Sequence, residues 1–128
     1  MTTSAGEPLR RPLEGRSILI AEGDAAIAAS LSVMLDSSGC EVIGPVVTAD
    51  ASVKLLRGRK VDAAVIGFHL RDRNAHAVMD ELSTRRIPFL LTSTTASPDL
   101  RSHWRPYLML QTPLMLGQVQ TALVRMLA

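Results

Sequence analysis

The most constraining feature of this 128-residue chain is a repeated alternation of apolar runs with amphipathic stretches. Each apolar run is short enough for a strand, and each amphipathic stretch carries apolar residues at the three-to-four spacing that is typical of a helix. Strands that are buried on both faces are continuous apolar runs rather than alternating ones. The alternation therefore predicts a parallel sheet with helices on both faces.

The predicted strands are 17–21, 41–47, 62–67, 88–93 and 107–111. The predicted helices are 24–39, 48–59, 75–85, 97–104 and 113–128. Strand–helix alternation and right-handed crossovers predict an α/β, flavodoxin-like (βα)5 doubly wound parallel sheet with strand order 2-1-3-4-5. Residues 1–15 are polar and contain two prolines and two glycines, which predicts a flexible leader before a single domain at 16–128.

Composition narrows the function classes. A composition of 47% hydrophobic and 20% charged residues is typical of a globular protein. The net charge is only +2, and the basic residues form no cluster with interleaved aromatic residues, so no nucleic-acid partner is predicted. Cys40 is the only cysteine and is predicted to be a small buried residue. The histidines lack metal-ligand spacing, and no apolar run is long enough for a membrane span. A cytoplasmic protein without a membrane partner is expected.

Over about residues 16–128 the chain resembles a receiver domain of a two-component response regulator. The stretches that carry the resemblance are SILIAEGD, GCEVIGPVVTADASVKLL, VDAAVIGFHL, IPFLLTS and LMLQTPL. The resemblance implies a phosphoacceptor aspartate at the end of the third strand, and an acidic pair after the first strand that binds Mg²⁺. It also implies a Thr or Ser at the end of the fourth strand, and a Lys before a cis-proline after the fifth.

The chain departs from that pattern at the residues that do the chemistry. Glu22 matches the first acid, but Gly23 stands where the direct metal ligand is expected. Gly67 stands at the phosphoacceptor position, and Thr112 replaces the lysine while Pro113 is kept. The resemblance thus implies a receiver-like regulator that cannot be phosphorylated in the usual way, is not an enzyme, and holds no metal or cofactor.

Two points about this pocket stay open at the level of sequence. The predicted fourth strand is one residue shorter than the family pattern, so the sequence does not decide whether Thr92 or Ser93 matches the family hydroxyl. The Thr112–Pro113 bond is expected to be cis, as the resemblance implies.

Three other residues have competing interpretations. Asp24 could replace the missing acid, but an aspartate at this boundary is expected to cap the first helix. Asp62 could be a displaced phosphoacceptor, but it lies roughly 16 Å from the end of its strand at strand rise, which argues against that role. His69 could accept phosphate or bind a metal in the vacant pocket, and a solvated loop histidine is the simpler expectation.

The expected output is binding of a protein partner or of a second copy of the chain. The alternative is a small-molecule binder that uses a pocket enlarged by the two glycines; unusual enzyme chemistry has no support beyond Glu22. The predicted interaction surface lies by the last helix and comprises Trp104, Tyr107, Met115 and Val124. These side chains could instead pack within the monomer.

Overall fold

The computed structural model describes residues 12–93, 108–111 and 116–127. The strands are β1 (Ser17–Ala21), β2 (Glu41–Val46), β3 (Ala63–Gly67), β4 (Phe89–Ser93) and β5 (Leu108–Gln111). The helices are α1 (Ala25–Ser37), α2 (Ala49–Gly58), α3 (His76–Thr84) and α4 (Leu116–Met126). All five predicted strands are confirmed to within one residue at each end, whereas the helix predicted at 97–104 lies outside the described residues.

The strands form one sheet in the order β2-β1-β3-β4-β5, and every neighbouring pair is parallel. This confirms the predicted α/β topology. Every residue of the central strand β3 is buried, as expected for a continuous apolar run covered on both faces. Strand β2 lies at the edge of the sheet. A proline such as Pro45 is tolerated in an edge strand, because the backbone N–H that it lacks is not needed for a hydrogen bond to a further strand. The Gly44–Pro45 peptide bond is cis.

The apolar core has two halves, one on each face of the sheet. The half beneath α1 and α4 includes Ile18, Ile20, Leu31, Leu35, Val65, Leu90, Val119 and Leu123. The half beneath α2 and α3 includes Leu19, Ile66, Leu56, Val78, Met79, Leu82 and Leu91. Residues that alternate along each strand enter opposite halves, which fixes the side of the sheet that each strand-end residue faces.

The packed domain extends further toward the N-terminus than the predicted boundary at residue 16. Leu13 is only 1% exposed and belongs to the half of the core beneath α1 and α4. Its amide donates to the carbonyl oxygen of Ser38 at 2.9 Å. Residues 12–15 are therefore a turn anchored on the domain, not part of a flexible leader.

Side-chain caps set the starts of two helices. Asp24 Oδ1 accepts from the amides of Ala26 and Ile27, at 2.9 and 3.1 Å, which confirms the cap interpretation of this aspartate. Thr48 Oγ1 accepts from the amide of Ala51 at the start of α2. No helix in the described ranges is both long and apolar enough to cross a membrane.

Candidate functional site

The candidate site lies at the carboxyl edge of the sheet, where ligands bind in open α/β folds. Ala21 pairs with Ile66 on β3, and Gly67 pairs with Thr92 on β4. Glu22 follows Ala21, so Glu22, Gly67 and Thr92 form one row across three neighbouring strands. Because of the strand alternation, all three face the half of the core beneath α1 and α4.

Glu22 is a buried acid, with 6% of the residue exposed. Its Oε1 accepts from the Thr92 hydroxyl at 3.2 Å, and its Oε2 accepts from the amide of Asp24 at 3.1 Å. Burial raises the pKa of Glu22, the nearby charge of Asp24 adds to that rise, and the two hydrogen bonds oppose it. The hydrogen bonds to the Glu22 carboxylate therefore offset only part of the cost of burying its charged form.

The Glu22 carboxylate occupies the space that a side chain at position 67 would need. A Cβ atom built on Gly67 would lie 2.5 Å from Oε1, 2.8 Å from Cδ and 3.0 Å from Oε2 of Glu22. Real Cβ atoms do not approach other heavy atoms so closely, so a residue larger than glycine requires Glu22 to move. The phosphoacceptor position implied by the resemblance is thus empty of its own side chain and filled by a neighbour's.

Gly23 has a different obstacle, which is backbone. A Cβ atom at this position would lie 2.6 Å from the carbonyl oxygen of His69 and 3.2 Å from the Cα of Leu70. The loop after β3 therefore packs directly on Gly23. A carboxylate could be placed here only if that loop moved.

The loop that follows β3 is joined to the ends of the two preceding strands. Arg71 Nε donates to the carbonyl oxygen of Gly23 at 3.0 Å, and the Arg71 amide donates to the carbonyl oxygen of Val47 at 2.9 Å. Asp72 Oδ1 accepts from the amide of Ala49 at 2.7 Å. Nothing in the spacing of the sequence indicates these contacts, because each joins residues more than twenty positions apart.

Of the two hydroxyls left open by the sequence, the structure places Thr92 beside Gly67 and bonds it to Glu22. Ser93 ends β4 one residue later. The Ser93 side chain, Thr112 and Pro113 lie outside the described part of the chain, and so does the predicted cis bond.

The remaining candidates do not join the site. Asp62 accepts from the amide of Ser17 at 2.7 Å, at the opposite end of the strands, which fits its rejection as a phosphoacceptor. His69 is exposed, and its ring lies edge-on to Phe68. Cys40 is confirmed as buried, with 6% exposure, and desolvation raises the pKa of its thiol to about 11.

Only one residue of the predicted interaction surface lies within the described residues. Val124 on α4 is 40% exposed, which is high for a large apolar side chain. It lines a shallow groove of about 340 Å³ together with Pro12, Gln120, Thr121 and Arg125. Trp104, Tyr107 and Met115 fall outside the described ranges.

The donor set at this edge does not fit a magnesium site. Mg²⁺ is held by oxygen ligands, usually carboxylates. Glu22 supplies one carboxylate, which is already bonded to Thr92 and Asp24, and neither Gly23 nor Gly67 has a side chain. Within the ranges that the structure describes, no three His, Cys, Asp or Glu side chains converge on a point that could hold a metal ion.

Comparison with solved structures shows which fold this is. SdrG from Sphingomonas melonis Fr1 is 27% identical, with a TM-score of 0.76 over 88% of this chain and 97% of that one. The receiver domain of a sensor histidine kinase from Pseudomonas aeruginosa PAO1, solved with magnesium in its active-site cleft, is 20% identical, with a TM-score of 0.77 over 88% and 98%.

A third neighbour is the N-terminal domain of a response regulator/sensory box/GGDEF protein from Carboxydothermus hydrogenoformans. It is 16% identical, with a TM-score of 0.78 over 88% and 94% of the two chains. By sequence, the chain matches no protein-family model and no curated protein. The likeness to these structures shows that the chain has the flavodoxin-like fold of response regulator receiver domains.

The raised pKa of Glu22 predicts the sign of a pH effect on stability. A carboxyl whose folded-state pKa exceeds its unfolded value destabilises the fold progressively as pH rises between those two values. Glu22→Gln does not titrate, and its amide can still accept from Asp24 and donate to Thr92. The variant's free energy of unfolding relative to wild type, measured by urea titration, is expected to increase as pH rises above the pKa of an unfolded-state glutamate.

Glu41→Gln is the matched control with the opposite sign. Hydrogen bonds from Ser17 and Arg59 lower the pKa of the exposed Glu41, so its contribution to stability is present above the unfolded pKa and is lost as pH falls. Glu41→Gln is therefore expected to be less stable than wild type near pH 7, with the difference vanishing in acid. A pH-independent difference for Glu22→Gln would contradict the strained burial of Glu22.

Proposed function

We propose that this chain is a regulatory module of the two-component receiver type that acts through protein–protein contacts and does not take up a phosphoryl group from a phosphodonor and Mg²⁺. The observation that carries the proposal is the pairing of Gly67 with Glu22. The position has no nucleophile, and the carboxylate of Glu22 fills the space where one would stand. The fold shared with receiver domains supports the signalling class.

Electrostatics at this edge also favour a module that does not take a phosphoryl group. A phosphoryl group carries negative charge that receivers are expected to balance with a metal ion and a lysine. Glu22 brings negative charge to the same place, Gly23 contributes only a carbonyl oxygen that Arg71 already uses, and Thr112 stands in place of the lysine. Positions 23 and 112 therefore supply neither the second metal ligand nor the lysine that would balance the charge of a phosphoryl group.

The alternative function, a small-molecule binder, requires an open pocket beside Gly23 and Gly67. The carboxylate of Glu22 lies against Gly67, and the backbone of residues 69–71 lies against Gly23. The space beside both glycines is occupied by protein atoms. We therefore favour the protein-binding function.

Treatment with acetyl phosphate and Mg²⁺ is expected to leave the intact mass of the protein unchanged. The physical reason is that residue 67 carries no carboxylate, and that the buried Glu22 carboxylate beside it already accepts from the Thr92 hydroxyl and the Asp24 amide. Gly23 also supplies no side-chain ligand for the metal. A receiver that keeps its aspartate, treated in the same way, is the positive control. A stoichiometric phosphoryl adduct on this chain would overturn the proposal, wherever the adduct was located.

The partner is proposed to be another protein or a second copy of the chain, bound on the surface of Trp104, Tyr107, Met115 and Val124. Val124 is the described residue on which this placement rests: it is 40% exposed and lines a groove with Pro12, Gln120, Thr121 and Arg125. Because no phosphoryl group would switch the surface, it would be presented in one state.

Val124→Glu combined with Trp104→Ala is expected to weaken association while leaving the circular dichroism spectrum unchanged, because a charge would replace exposed apolar area. Sedimentation velocity measures self-association, and pull-down with the purified chain measures partner binding. Thr84→Glu, at an exposed position of α3, is the control and should bind as wild type does. Val33→Glu tests α1, the next candidate surface, where Val33 is 70% exposed. A wild-type chain that is monomeric, with its captured partner equally bound by the Val124 variant, would place the surface elsewhere.

A further inference from the structure

We infer that residues 69–73, the loop after β3, form a clamp that holds the two neighbouring strand-end loops, after β1 and after β2, in one arrangement without a metal ion. The inference deepens the proposed function and rests on it, because it explains how a module that is not switched at position 67 keeps a single conformation. The clamp loop is defined as His69–Arg73. Its contacts reach the ends of β1 and β2 separately.

The first contact is with the loop after β1. The carbonyl oxygen of His69 lies where a Cβ atom of residue 23 would be, 2.6 Å away, so only glycine allows this approach. Arg71 Nε then donates to the carbonyl oxygen of Gly23 at 3.0 Å.

The second contact is with the loop after β2 and the start of α2. Asp72 Oδ1 accepts from the amide of Ala49 at 2.7 Å, and Oδ2 accepts from the amide of Asp50 at 3.2 Å. Helix N-termini carry unsatisfied amides and a partial positive charge, so a carboxylate here is stabilised. The bond from Ala49 is the main cause of a lowered pKa for Asp72, and Arg73 pairs with both Asp50 and Asp72.

These contacts do with protein atoms what a bound divalent cation does when it joins oxygen ligands from separate loops. Arg71 supplies a fixed positive charge to the backbone oxygen of Gly23. Asp72 supplies a fixed negative charge to the amides of α2. The arrangement of the three loops is therefore expected to be independent of Mg²⁺.

Amide hydrogen exchange of the full chain tests the clamp. Asp72→Ala is expected to speed exchange of the Ala49 and Asp50 amides about ten-fold relative to wild type, because both lose their acceptor. The Ala64 and Val65 amides of the central strand are expected to exchange through unfolding of the whole domain, so they measure any global loss of stability, and the increase at Ala49 and Asp50 should exceed theirs. Arg71→Met should likewise speed exchange of the residue 71 amide, which bonds Val47.

Arg85→Met is the matched control, since Arg85 pairs with Glu81 on α3 and lies outside the clamp loop. It should leave all of these amides unchanged. Millimolar Mg²⁺ should not slow exchange in the wild-type loops. Unchanged exchange at Ala49 and Asp50 in Asp72→Ala, or protection of the loops by Mg²⁺, would overturn the clamp.

This experiment is separate from the phosphorylation test, because it uses no phosphodonor. A phosphoryl adduct would overturn the proposed function, whereas unaltered exchange rates in the variants would overturn the clamp alone. If Asp72→Ala does not fold, Asp72→Asn keeps one acceptor oxygen. In Asp72→Asn, exchange of one of the Ala49 and Asp50 amides should be faster than in wild type and exchange of the other should be unchanged. Wild-type exchange rates at both amides would overturn the inference.

Discussion

A buried carboxylate needs partners, and the partners of Glu22 determine what the carboxyl edge of this sheet can do. Burying a charged group without hydrogen bonds costs free energy. The Glu22 carboxylate accepts hydrogen bonds from the Thr92 hydroxyl and the Asp24 amide, which reduce that cost. In that position its carboxylate lies over Gly67. With Glu22 in this rotamer there is no room for a side chain at position 67, and the glycine there is what permits the arrangement.

The two glycines at the edge are not equivalent. Next to Gly67 stands the end of a flexible side chain, which can rotate away if the position becomes larger. Next to Gly23 stands the backbone of the clamp loop, which is bonded to β1 and β2 on either side. Placing an aspartate at position 67 is therefore a local change, whereas placing one at position 23 requires three loops to rearrange.

Much of the fold follows from the sequence because it depends on local patterns. The continuous apolar run 63–67 predicts a strand buried on both faces, and the polarity of Asp24 before an apolar helix predicts its cap. The position of Leu13 could not be predicted, because a single leucine in a polar segment has no periodicity. Nor could the contacts of Asp72 and Arg71, since their partners are brought near only by the packing of separate loops. The sequence indicates Glu22 as a site residue. The placement of its carboxylate over Gly67 depends on the register of β1, β3 and β4, which the sequence does not give.

A double-mutant cycle between positions 22 and 67 tests most directly whether Glu22 fills the phosphoacceptor position. Gly67→Ala should destabilise the wild-type chain, because its Cβ would meet the carboxylate, and should cost little in a Glu22→Ala background. The coupling free energy from urea unfolding is expected to be about 1 kcal/mol or more. Gly23→Ala, which meets the His69 carbonyl instead, should destabilise both backgrounds equally. An equal cost of Gly67→Ala with and without Glu22 would contradict the placement of the carboxylate in the space of residue 67.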